Sequence, residues 1–145
     1  MNRKDMKGEA DLKAVENGNE IVLDFDKLKK VSKGPESVVP VIVQDDATKE
    51  VLLLAYANEQ ALRHTLESGL ATFWSTSRHE LWVKGKTSGD ELKIVEVRVN
   101  CDQNSLLYVI KMVGKGSCHV KDSSGKTRFG CYYRRIKGDK LEFIG

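Results

Sequence analysis

Two apolar runs separated by a short polar break, LKIVEVRVN and SLLYVIKMV on either side of NCDQN, constrain this chain more than any other feature. In the first, Val95, Val97 and Val99 recur at every second residue; in the second, Leu106, Tyr108, Ile110 and Met112 alternate with Leu107, Val109 and Val113. A period of two sends successive side chains to opposite faces of a strand. The segment therefore predicts two β-strands joined at a polar turn that carries Cys101.

Other strands follow by the same reading. VVPVIVQ and VLLLAYA flank DDATKE as a hairpin, and LATFWST, ELWVKG, TRFGCYYRRI and LEFI add further strands, with SSGK as a hairpin tip. Pro40 offers no N–H, so its strand is expected at an edge or a bulge. One prominent helix is predicted where Asn58 can cap the first turn, Ala61, Leu62, Thr65 and Leu66 repeat at helical spacing, and Gly69 stops the run. FDKLKK suits a helical turn or two. The first twenty residues are polar without a sustained period, which predicts a flexible lead-in over 1–20 and one domain over 21–145. The expected class is α+β: a small, mostly antiparallel, β-rich single domain with one main helix. A chain of 145 residues that is 40% hydrophobic can fill one such core.

Composition excludes several functions. No apolar stretch approaches the ~18 residues of a membrane span, and Met1 is followed by charged residues rather than a signal-like run. A cytoplasmic protein with no membrane partner is expected. The net charge of +3 is too small to demand a nucleic-acid partner. Its distribution is uneven: nine basic and three acidic residues fall in 111–145, which suits either a phosphorylated ligand or a solvated strand face. Neither GxGxxG nor GxxxxGK[ST] occurs, so dinucleotide and P-loop sites find no support, and no long parallel βαβ crossover is expected.

Chemistry concentrates in two places. Cys101, Cys118 and Cys131 are too few for a closed disulfide set, and their spacing matches no zinc finger or ribbon, so a metal site and buried free thiols both remain open. Cys118 stands beside His119 just after the flexible GKG. Three thiolates on one zinc would leave a fourth position open unless His119 takes it, and an open position is the mark of a catalytic site. The stretch WSTSRHELWVKGKTSG gathers Arg78, Lys84, Lys86, Thr87 and Ser88 around Gly85 and Gly89, a composition that suits a phosphate or an ordinary polar loop. Trp74 and Trp82 lie in apolar strand patterns and are expected in the core, with base stacking as the lesser reading.

With VPVIVQ, VLLLAYANEQALRHTLESGLATFWSTSR, LWVKGKTSG, NCDQNSLL, GKGSCH and CYYRR in view, residues 22–135 resemble the phosphoribosyl-AMP cyclohydrolases of histidine biosynthesis. The resemblance implies hydrolytic opening of the adenine ring of 1-(5-phosphoribosyl)-AMP at N1–C6 by zinc-bound hydroxide, with magnesium as a second metal. It implies an intertwined homodimer whose zinc ligands are Cys101, contributed by the partner subunit, with Cys118 and Cys131. His119 is then the expected acid and base, and Arg78, Trp82, Lys84, Thr87 and Ser88 the expected substrate contacts. A fused pyrophosphohydrolase domain is not expected, since the sequence ends soon after CYYRR.

Departures from the family pattern accompany the match. The implied magnesium motif D-C-D-x-D reads Asn100, Cys101, Asp102, Gln103, Asn104, which leaves one carboxylate and two amides and predicts a weakened site. Twelve residues separate Cys118 from Cys131 where about six are usual, and Thr76 replaces the first arginine of a WSRSR run. Two other readings follow: a diverged zinc hydrolase acting on another purine-like amidine, and a non-enzymatic relative that binds zinc or a nucleotide.

Overall fold

The computed structural model describes residues 9–144, which fall into two compact units, one of residues 35–132 and one formed by the two ends of the chain. In chain order the elements are α1 (Glu9–Asn17), α2 (Lys27–Ser32), β1 (Val39–Asp45), β2 (Val51–Ala57), α3 (Glu59–Ser68), β3 (Thr72–Ser75), β4 (Glu80–Val83), β5 (Leu92–Val99), β6 (Leu106–Met112), β7 (Arg134–Lys137) and β8 (Lys140–Phe143). The class is α+β and strand-rich, with antiparallel pairing in all but one strand pair among the described residues. No helix among them is long and apolar enough to cross a membrane.

The larger unit is built on a four-stranded sheet in the order β2-β1-β6-β5 and a two-stranded β3-β4 ribbon. Val41, Val43, Leu52, Phe73, Leu92, Tyr108 and Ile110 are fully buried and form its core. The expected β1–β2 and β5–β6 hairpins are present. Between them lies a parallel β1–β6 pairing, with Val41 opposite Leu106 and Asp45 opposite Ile110. Local patterning had given no sign of this pairing, because the connection runs through five intervening elements instead of one crossover helix. β1 is thus a central strand. Pro40 is tolerated because the β6 partner begins only at Val41, leaving the proline paired on one side, with Tyr56.

The predicted valine face of β5 is broken by a bulge between Ile94 and Glu96. One extra residue reverses the phase of a strand, so Leu92 and Ile94 before the bulge and Val97 after it pack on the core, while Val95 in the bulge is exposed; Val99, on the same face as Val97, is exposed at the strand's end. No strand covers TRFGCYY. Residues 127–133 form loops there, held by a backbone bond from Cys131 to Leu52 of 2.6 Å, and pairing resumes only at Arg134.

α3 follows its sequence signals. Asn58 Oδ1 accepts the Ala61 N–H at 2.8 Å, and Gly69 closes the helix at φ +73°. Thr65, on its buried face, accepts from the Thr72 N–H at 3.0 Å and donates to the Ala61 carbonyl at 2.8 Å, while the Tyr108 hydroxyl donates to it at 3.3 Å. This buried network ties helix, ribbon and central sheet together. Leu66, read as part of the apolar face, is exposed.

In the terminal unit, a helix occupies 9–17 within the segment expected to be a flexible lead-in; residues 1–8 lie outside the described ones. Arg134 donates to the carbonyls of Val15 and Gly18 at 2.8 Å each, satisfying the C-terminal end of α1, and its guanidinium lies 5.0 Å from the Tyr133 ring. Those partners are more than a hundred residues away, so no local pattern foretold the helix.

Candidate active site

The β3–β4 ribbon and the loop after it supply one part of a cavity of about 420 Å³, and the segment after β6 supplies the rest. Arg78, Trp82, Lys84, Thr87 and Ser88 line it together with Cys118 and His119. Residues far apart in sequence thus meet around one space. Lys84 is buried at 6% exposure, beside the Trp82 ring at 6.0 Å. Trp82 also packs on Phe73 at 5.5 Å, so it belongs to both core and cavity wall.

The turn after β4 depends on Gly85. Its φ is +80°, and a Cβ there would lie 2.2 Å from the carbonyl carbon of Asp90. Only glycine permits that approach. Gly116 does the same for the other wall: a Cβ would meet the Arg128 carbonyl oxygen at 2.3 Å. The chain there packs closely enough for Ser117 and Cys118 to donate their N–H groups to Arg128 at 3.1 and 3.2 Å.

Cys118 is buried, and its thiol is hydrogen-bonded to that of Cys131. That bond draws the Cys118 pKa from its ordinary 9.0 down to about 6, against the opposing effect of burial and with help from the Val120 N–H, His119 and Lys84. The Cys131 thiol is pushed up by the same bond, by burial and by the Cys118 charge, so the pair holds one proton between two sulfurs. The two sulfurs are soft donors suited to a metal such as zinc, and the nearby Lys84 favours the thiolate form of Cys118. Cys131, expected in a strand, is delivered by a loop.

Cys101 is exposed in the β5–β6 turn, and no three His, Cys, Asp or Glu side chains among the described residues come together in one chain as a metal site. In the same turn, Asn100 Oδ1 accepts the N–H groups of Asn104 at 2.9 Å and Ser105 at 3.0 Å, and its Nδ2 donates to Asn104 Oδ1 at 2.6 Å. Asn100 Oδ1 is therefore fully used inside the turn and Asn104 Oδ1 half used, and the Asp102 carboxylate is the one charged oxygen donor among residues 100–104. This donor set does not fit magnesium, which demands several oxygen ligands in near-octahedral array.

Residues 53–133 match the family model of the phosphoribosyl-AMP cyclohydrolases. The chain belongs to that family. It is 46% identical over 106 residues to the phosphoribosyl-AMP cyclohydrolase of Archaeoglobus fulgidus, covering 73% of this chain and 92% of that protein. It is 41% identical over 125 residues to that of Desulfatibacillum aliphaticivorans, covering 86% and 90%. The histidine biosynthesis bifunctional protein HisIE of Aquifex aeolicus is 44% identical over 113 residues; the match takes in 78% of this chain and 52% of that longer protein. The family match contains the ribbon, the cavity loops and all three cysteines. Glu80, at the start of β4, and Asp90, in the loop after it, also line the cavity, and neither is marked by any motif or periodicity in the sequence.

Proposed function

We propose that this chain hydrolyses the N1–C6 bond of the adenine ring in 1-(5-phosphoribosyl)-AMP, as a cytoplasmic enzyme of histidine biosynthesis. One observation carries the reading: in a member of the cyclohydrolase family, the Cys118 and His119 pair opens into the same cavity as Arg78, Lys84, Thr87 and Ser88. Cations and hydroxyls hold the phosphoribosyl groups, and Trp82 flanks the base. Water adds at C6, the N1–C6 bond breaks, and N1 takes up a proton. His119 is exposed at the cavity and is the group we assign to that proton transfer. Cys118 and Cys131, with Cys101 of a second copy, would hold zinc, which when bound lowers the pKa of water and polarises the amidine. Magnesium has no assigned role, because the turn at 100–104 does not fit it. Thiols kept reduced for metal binding agree with a cytoplasmic location.

The second copy has a surface to meet. Ile42 stands in register between Leu54 and Leu107 on the sheet face opposite Val41 and Val43, and Ile42 and Leu54 are exposed. Apolar side chains side by side on a sheet suit a symmetric homodimer, and a dimer is the arrangement that brings the exposed Cys101 to a thiol pair. The reading is tested by incubating zinc-loaded protein with phosphoribosyl-AMP and following the absorbance change of ring opening. Turnover that disappears in Cys118→Ser supports it, and no turnover by the zinc-loaded protein contradicts it.

A further inference from the structure

We propose that Lys121, in the segment between Cys118 and Cys131, binds a phosphate group of the nucleotide. The inference rests on the proposed activity and adds a contact from a second wall of the cavity. Residues 121–127 form a small hairpin closed by a bridge between Lys121 and Thr127, and both of those residues line the cavity. The hairpin is anchored at its base by the bonds of Ser117 and Cys118 to Arg128 and of the Ser117 hydroxyl to the Phe129 carbonyl at 2.6 Å. Lys121 is thereby fixed in relation to Cys118, three residues earlier.

The acidic neighbour forms no ion pair with it. Asp122 Oδ1 accepts from the Ser124 N–H at 2.9 Å, the Ser124 hydroxyl at 2.7 Å and the Lys126 N–H at 3.0 Å, so that carboxylate is committed to its own turn. Among the described residues Lys121, Lys84 and Lys86 make no ion pair, and Arg78 pairs with Glu80 at 3.5 Å. The cavity thus carries Arg78, Lys84, Lys86 and Lys121 against Glu80 and Asp90, a surplus of positive charge that calls for an anionic occupant. Phosphoribosyl-AMP carries two phosphates. In this proposal the hairpin supplies Lys121 for the 5′-phosphate of the AMP half, and the ribbon side supplies Arg78, Lys84 and Lys86 for the phosphate of the second ribose.

The test compares Lys121→Ala, Lys121→Arg and Lys126→Ala, the last changing the neighbouring hairpin lysine that does not line the cavity. Lys121→Ala is expected to raise KM for phosphoribosyl-AMP about tenfold with kcat changed less than about threefold, as befits a contact made equally in ground and transition states. Lys121→Arg should restore most of the loss, and Lys126→Ala should match the unmodified protein. Calorimetric titration with AMP and with adenosine separates this inference from the proposed activity. Even without ring opening, weaker AMP binding in Lys121→Ala with unchanged adenosine binding supports the phosphate contact. An unchanged KM overturns it. Where there is no turnover, equal AMP affinity in both proteins, including no binding in either, overturns it as well, and so does a Lys126→Ala loss as large as that of Lys121→Ala.

Discussion

Asn100 and Asn104 are joined side chain to side chain by a 2.6 Å hydrogen bond across the turn that presents Cys101. Because Asn100 Oδ1 already accepts two backbone N–H groups, the direction of that bond is fixed: Asn100 donates and Asn104 accepts. A turn that would need a cation to hold two carboxylates together closes here on itself.

Restoring both carboxylates should undo this. Asn100→Asp with Asn104→Asp removes the donor and places two like charges at the same spacing, so in chelator the double variant should melt below the unmodified protein, by about 0.5–1.5 kcal/mol for the lost bond alone. Magnesium should raise the melting temperature of the variant and leave the unmodified protein where it was. A magnesium shift of equal size in both would show that the amides are adequate ligands.

Acid should loosen the hairpin that carries Lys121. Hydrogen bonds, first from the Ser124 hydroxyl and then from the Lys126 N–H, hold Asp122 below its ordinary value of 3.8. A carboxylate with a lowered folded pKa stabilises the fold above its unfolded pKa, and the contribution is lost as pH falls through the lowered one. Amide exchange at Ser124 and Lys126 should therefore be slow at neutral pH and quicken, relative to intrinsic rates, only below about pH 4. Asp122→Ala should quicken it at neutral pH, whereas no difference between the two proteins there would contradict the account.

Gly85→Ala should be costly. The substitution meets both a left-handed backbone and a 2.2 Å clash with Asp90, so a loss of at least about 1–3 kcal/mol is expected. Denaturant unfolding measures it. A change under about 0.5 kcal/mol would mean that the turn relaxes freely.

The parts legible in the sequence were those written in short-range pattern: the Asn58 to Gly69 helix, the two hairpins of the main sheet, and the polar loop that became the cavity wall. What escaped depends on distant partners. The β1–β6 pairing joins residues more than sixty positions apart, the bulge at Val95 shows only as an offset in a pattern that also reads as regular, and α1 is completed by Arg134. In the site, the nearness of Cys118 to Cys131 was implied by family resemblance, while the buried Lys84 beside them carried no sign in its spacing.

A zinc site shared between two copies predicts complementation. Cys101→Ser and Cys118→Ser should each lose zinc as separate proteins. Co-refolded in equal amounts, half the dimers are mixed and carry one intact site of two, so zinc content and turnover should return to about a quarter of the unmodified level. No recovery, with mixed dimers demonstrated by mass, would place all the ligands in one chain.

The central claim is the bond that is cut. Mass spectrometry of phosphoribosyl-AMP incubated with zinc-loaded protein in ¹⁸O water should show a product one water heavier, bearing one ¹⁸O and retaining every nitrogen, with no ammonia released. Release of ammonia, or an unaltered substrate, would contradict hydrolytic opening at N1–C6.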